Sequence, residues 1–201
     1  MDRKKSVDSV KKFDAKKECG SKILQGDALL DAVKKCRERG CKIVLTMGSW
    51  DLLHIGHARY MKAAKEYGDV LIVGVDSDQK VKNRKGPDRP VVPEDERMEM
   101  IGHLGCADIV TLKDHDAPKW HMIKAVEPDV LIAVDETYTP EKLEQVKKLC
   151  GEVVVLRSQA TTSTSAKIRR LQITTANKVE KRLRPKLIAT IEEVLNEIKG
   201  K

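Results

Sequence analysis

Five short apolar runs recur along the chain: IVLT (43–46), VLIVGV (70–75), DIVTL (108–112), DVLIA (129–133) and EVVVL (152–156). They are β-branched or leucine-rich and almost free of polar residues, which suits strands covered on both faces. Segments of helical spacing separate them, over 54–67, 93–104, 118–126 and 140–150. Another helix precedes the first run. Within residues 27–39 the apolar positions are 29, 30, 33 and 36, and Gly40 supplies a stop. Pro93, followed by Glu94, Asp95 and Glu96, suits a first helical turn, where a missing N–H costs nothing and acids meet the positive end of the dipole. Strand–helix–strand alternation of this length predicts an α/β fold with an open, parallel five-stranded sheet and helices on both faces.

The last segment stands outside this alternation. Residues 176–199 have helical composition with apolar positions at 183, 187, 188, 191, 194, 195 and 198. They predict an appended C-terminal helix, packed on the domain or on a second copy in a homodimer. The expected layout is a basic N-terminal extension (1–21), a main domain (22–175) and a C-terminal helical extension (176–201).

The net charge of +8 at first suggests a nucleic-acid partner, but its location changes that picture. Residues 1–24 carry 8 basic and 4 acidic side chains and residues 176–201 carry 7 and 4, so the middle of the chain is nearly neutral. With aromatics at 3% there is little material for base stacking, and nucleic acid is disfavoured as a partner. There is no apolar run near the roughly 18–20 residues of a membrane span. The N-terminus lacks the apolar core of a secretory signal, so a cytoplasmic location is expected. The five cysteines (19, 36, 41, 106, 150) form no CxxC pair and are expected as free thiols.

Candidate chemistry concentrates at GSWDLLHIGH (48–57), directly after the first strand. Residues 47–51 then fall at the carboxyl edge of the sheet, where open α/β sheets bind ligands. His54 and His57 fall in the first turn of the next helix, and residues three apart share a face. A helix N-terminus offers N–H groups and a positive dipole to an anion. Gly48 and Gly56 would let a large anion approach the backbone. The pattern predicts a phosphate clamp; a zinc pair more often takes i,i+4 spacing and needs a third ligand nearby. Further on, TSTSAKIR (162–169) places Ser163, Thr164 and Ser165 at a helix start, as simple N-caps or as further phosphate ligands beside Lys167 and Arg169.

As a unit, the 48–57 stretch resembles the HxGH signature of the cytidylyltransferase-like nucleotidyltransferases. Asp51, His54, Gly56 and His57 match position by position, and TSTSAKIR resembles the ISTSxxIR block of the same superfamily. Between them LIVGVDSD, KGPDRPV, the ER of PEDERMEMI and GCADIV resemble the adenylyltransferase domain of bacterial ADP-heptose synthases. KAVEPDVLI and GEVVVL extend the likeness over roughly residues 22–171.

The resemblance implies a Rossmann-like fold and transfer of AMP from ATP, releasing pyrophosphate. The acceptor it implies is a phosphorylated small molecule, a sugar phosphate such as heptose 1-phosphate. His54, His57, Lys85 and Arg97 are the implied catalytic residues. The implied nucleotide-binding residues are Thr46, Met47, Gly48, Ser49, Trp50, Asp51, Gly56, Asp135, Ser163, Thr164 and Ser165. Mg²⁺ is expected bound through the triphosphate.

Alternatives in the same class are CTP-dependent transfer to glycerol 3-phosphate or a phospho-alcohol, and FAD synthesis. An alternative of another class is a non-catalytic nucleotide-binding protein. The chain departs from the heptose enzymes at Met47, Ser49 and Trp50, where they typically show Asn, Cys and Phe. It departs again at Ala133-Val-Asp-Glu136, where they usually carry Lys-Gly-Gly-Asp. Base and acceptor identity are both open on these residues. Trp120 resembles the tryptophan before the corresponding helix of glycerol-3-phosphate cytidylyltransferases, and a core-facing role explains it better.

Overall fold

Strands covered on both sides need apolar residues at successive positions, and the five runs supply them. In the computed structural model, which describes residues 13–134, 138–157, 159 and 164–200, they form β1 (Ile43–Gly48), β2 (Val70–Asp76), β3 (Ile109–Lys113), β4 (Val130–Val134) and β5 (Glu152–Leu156). All pairings are parallel and the order is β3-β2-β1-β4-β5. Successive side chains of each strand face opposite ways. Ile43, Leu45, Ile72, Ile109 and Leu131 therefore pack on one side with α1 (Ala15–Cys19), α2 (Gly26–Glu38), α6 (His121–Val126) and α7 (Pro140–Lys147). Val44, Leu71, Val73, Val110 and Ile132 pack on the other with α3 (Ile55–Lys65) and α5 (Glu94–Gly102). The expected α/β sheet with helices on both faces is the observed one.

The expected strands lie within one or two residues of the observed ones. In α2 the buried stripe is Leu29, Ala32, Val33 and Cys36, while Leu30 is 45% exposed, so the helix is turned by one position from the expected face. Two helices carry no apolar period that a sequence reading could detect. α4 (Asp78–Lys85) buries only Val81. α1 is five residues long and is made by its ends, with Asp14 accepting from the N–H groups of Lys16 and Lys17 and Gly20 at φ 77° closing it.

Part of the N-terminal segment expected as an extension is packed against the core. Phe13 and Ala15 are buried there, and Glu18 holds Arg39 through both carboxylate oxygens. Residues 22–24 run beside β3, with Leu24 N donating to Val110 O (2.9 Å) and Val110 N to Lys22 O (2.8 Å). None of the five cysteines forms a disulfide among the described residues, and burial pushes the Cys36 thiol up to about 12, which keeps it protonated.

The chain divides into two units at Thr161/Thr162. The second contains one helix, α8 (Thr164–Lys199), which runs through Pro185 and starts well before residue 176. No helix among the described residues is long and apolar enough to cross a membrane.

Strand order fixes where a ligand can sit. The chain passes from β1 outward to β2 and β3, then returns to lay β4 on the other side of β1. The carboxyl ends of β1 and β4 therefore flank a crevice at the reversal. GSWDLLHIGH leaves β1 at that point.

Candidate active site

The two histidines lie face to face at the start of α3. Their ring centroids are 3.9 Å apart with planes inclined by 24°. His54 is not in the first turn, as its spacing suggested, but is the N-cap, with extended backbone (φ −141°, ψ 171°). Its Nδ1 accepts from Gly56 N at 3.1 Å. In a neutral ring that assignment puts the proton on Nε2, so His54 is a donor at that atom. His54 O accepts from His57 N at 2.9 Å, which fixes the second ring over the first.

Several residues expected to touch nucleotide instead build the wall behind the histidines. Trp50 is 6% exposed, in left-handed conformation (φ 50°), and its Nε1 donates to Gly74 O at 3.0 Å. Its ring meets His57 edge-on at 5.6 Å. Gly48 is required by that indole rather than by an anion, since a Cβ there would lie 3.0 Å from Trp50 Cε2. Thr46 is fully buried, with Oγ1 bonded to Tyr60 OH (3.3 Å) and Ile132 O (3.4 Å). Gly56 is buried in the first turn of α3. Thr46, Gly48 and Trp50 are thus each held among core neighbours at the β1 edge.

Asp51 is likewise internal. It is 1% exposed and accepts from Val91 N (3.1 Å to each oxygen), Val92 N (3.0 Å to Oδ1) and Arg89 Nε (2.7 Å to Oδ2). Burial by itself would raise this carboxyl. The two backbone N–H groups and the Arg89 guanidinium outweigh it and hold Asp51 below the usual carboxylate range. The residue thus clamps the end of the KGPDRPVV loop onto the β1 edge.

Lys85 and Arg97 divide along the same line. Lys85 Nζ donates to Ser49 Oγ at 2.8 Å, which sets an ammonium on the β1 edge. Partial removal from water, and then Arg84 and Arg89, lower its pKa. Arg97 is 2% exposed. Its Nε donates to Val92 O (2.9 Å), Nη1 to the carbonyls of Ser49 and of Asp76 (2.9 Å to the latter), and Nη2 to Asp78 Oδ1 (2.6 Å). Four of the five N–H groups of a guanidinium are thus turned inward. Through these bonds Arg97 fastens β1, β2 and α4 together.

Three further charged residues belong to this edge and were not singled out by the sequence reading: Asp76, Arg84 and Arg89. Asp76 ends β2, is 1% exposed, and pairs with Arg84 (2.9 Å) and Lys113 (3.5 Å). Its position at a strand's carboxyl end, inside LIVGVDSD, was the available signal. Cations outnumber carboxylates across this edge, as a polyphosphate site requires.

Met47, the last expected rim residue of β1 on this side, lines a cavity of about 320 Å³ outside the end of β3. Met122, Leu112 and Trp120 form apolar walls, and Lys80, Lys113 and Lys119 ring it. Trp120 packs on the core as expected, stacks on Tyr138 (6.1 Å) and carries Lys119 over its ring at 5.1 Å. Asp135 and Ser163 lie outside the described residues. Thr164 and Ser165 open α8, in the second unit.

Comparison with known proteins agrees with this geometry. The family described as cytidylyltransferase-like matches residues 45–181. The bifunctional protein HldE of Vibrio parahaemolyticus is 42% identical over 146 residues, covering 71% of this chain and 30% of that protein. HldE of Geotalea uraniireducens is 38% identical over 155 residues, covering 74% and 31%. The chain therefore spans about a third of the length of these relatives. A solved lipopolysaccharide core biosynthesis protein from Thermoplasma volcanium superimposes with a TM-score of 0.52 at 30% identity, covering 59% of this chain and 97% of that one. Pantoate-beta-alanine ligase from Francisella tularensis shares the fold, with a TM-score of 0.52 at 16% identity over 82% and 79% of the two chains.

Proposed function

Because the chain belongs to the cytidylyltransferase-like family and is a nucleotidyltransferase, we propose that it transfers AMP from ATP to a sugar phosphate and releases pyrophosphate. The observation that carries this reading is the stacked His54–His57 pair at the start of α3, on the sheet edge where strand order reverses. The likeness to the ADP-heptose synthases favours ATP and a heptose phosphate.

An oxygen of the acceptor phosphate attacks the α-phosphorus in line. A new P–O bond forms as the bond to the leaving pyrophosphate breaks. The nucleophile is already anionic, so no general base is needed and rate depends on positioning and charge neutralisation. His54 and His57 donate to the α-phosphate, where negative charge develops. Lys85, poised on Ser49, meets the β- and γ-phosphates. Asp51, Arg89 and Arg97 hold these groups in place without touching substrate. The edge carboxylates Asp51 and Asp76 are both buried and paired with cations. Magnesium enters with the triphosphate, as part of the substrate. The acceptor sits in the cavity that Met47 shares with Trp120, its phosphate among the lysines.

A second reading, cytidylyl transfer to glycerol 3-phosphate or a phospho-alcohol, is favoured by the apolar walls of that cavity. One experiment separates them: pyrophosphate release with ATP or CTP and Mg²⁺, across heptose 1-phosphate, other sugar phosphates, glycerol 3-phosphate, phospho-alcohols and flavin mononucleotide. Turnover of ATP with a sugar phosphate is expected. Turnover confined to CTP overturns the base assignment, and triphosphate binding without turnover makes the chain a binding protein.

A further inference from the structure

Helix α8 carries an apolar stripe along its C-terminal half. Val179, Leu183, Leu187, Ile191, Val194 and Ile198 are each 47–66% exposed. With Ala176 they recur at intervals of 3 and 4 that return every eleven residues (176, 187, 198), close to the 3.6-residue turn of the helix, so the stripe stays on one face. Ile188 and Leu195 widen the stripe. At roughly 90 Å² per half-exposed aliphatic side chain the surface is on the order of 700 Å². That exceeds the ~300–600 Å² of the largest apolar patch on a typical monomer and approaches the ~800 Å² per partner of a standard interface.

The charges beside the stripe identify what covers it. Along one flank Arg182 and Lys186 stand four residues apart, and further on Glu193 and Glu197 do the same. Like charges at that spacing destabilise an isolated helix. Glu197, in the last turn of α8, also meets the negative end of the helix dipole. Among the described residues only Arg184 and Glu180 form an ion pair within the helix, at 4.0 Å. Both conflicts vanish if an identical helix lies alongside in the opposite direction. The flank then faces its own copy, Arg182 opposite Glu197 and Lys186 opposite Glu193, about an axis between residues 189 and 190. A parallel pair would instead put base against base.

We propose that α8 pairs antiparallel with the α8 of a second copy of this chain, forming a two-fold homodimer. The stripe supplies the contact area and the charged flank sets direction and register.

The test uses the full chain. Sedimentation equilibrium should give a dimer, and Leu187→Asp should give a monomer with unchanged helical circular dichroism. Glu193→Lys turns both symmetric contacts repulsive and should weaken dimerisation roughly tenfold, from the usual strength of exposed ion pairs. Adding Lys186→Glu should restore it to within about threefold of the parent. Direction is read by crosslinking under mild oxidant against the parental cysteine background. Thr190→Cys, beside the axis, should add a dimer band. Ala176→Cys should not, because antiparallel pairing separates the two copies by roughly 40 Å. A monomeric parent at tens of micromolar, a charge swap that fails to restore, or self-crosslinking of Ala176→Cys overturns the proposal. A monomer whose α8 binds its own domain or anionic vesicles overturns it equally.

Discussion

Replacing Asp51 with Asn tests whether the loop after α4 is held by one carboxylate. The side chain is 1% exposed and accepts from two backbone N–H groups and from a guanidinium whose side chain is only 10% exposed. Asn keeps one acceptor oxygen but turns an amide NH₂ toward donors, and it leaves the Arg89 cation buried. Breaking one partner of a buried ion pair costs about 3–5 kcal/mol. The same range follows from two N–H groups losing a charged acceptor at about 1.5–3 kcal/mol each. For a chain of this size that is a fall in Tm of roughly 6–20 °C. The pH dependence gives an independent check. Because the folded state lowers the Asp51 pKa, its contribution is complete above the unfolded value near ~3.9. It is lost as pH falls through the lower folded value. Urea unfolding of the variant should therefore show a shallower acid limb than the parent below about pH 4. A loss under about 1 kcal/mol at pH 7, with an unchanged acid limb, would refute the clamp.

His57→Ala should lower kcat by a hundredfold or more with smaller changes in KM, on the order of the ~3–4 kcal/mol of one transition-state contact; near-parental pyrophosphate release would sink the assignment. Arg97→Lys keeps the charge but not the fork that joins Ser49, Asp76, Val92 and Asp78. It should cost about 3–5 kcal/mol in urea and weaken triphosphate binding in parallel, whereas a stable variant defective only in binding would restore a direct phosphate role. Deleting residues 1–20 removes Phe13 and Ala15 from the core, so Tm should drop by the ~3–5 kcal/mol equivalent of losing a buried Phe.

What the sequence revealed and what it concealed follow from the kinds of force involved. Long-range apolar patterning made all five strands legible, because a strand such as VLIVGV has few other places to go. The turn of α2 by one position was less so: Leu30 and Ala32 are both apolar, and only packing decides which is buried. α1 and α4 were silent because capping and tertiary bonds hold them, with hardly any apolar stripe to read. At the site the motif told where chemistry gathers but not which residues face it. Asp51, Trp50 and Arg97 occur in motif positions yet point inward. A motif registers that a residue is required, and the requirement can be for building the wall as much as for touching the ligand.

The bonds described above for Arg97 and Asp51 join residues between Ser49 and Arg97. The edge beside the histidines is thereby braced by one continuous portion of chain. The Trp120 cavity, by contrast, draws most of its lining from residues 112–123. Under the function proposed above, two tasks are thus written on two stretches of sequence that scarcely overlap. Variation in the later stretch can change what is accepted while the apparatus that handles the triphosphate stays intact, so new acceptors become reachable by drift in a dozen residues without rebuilding the reaction.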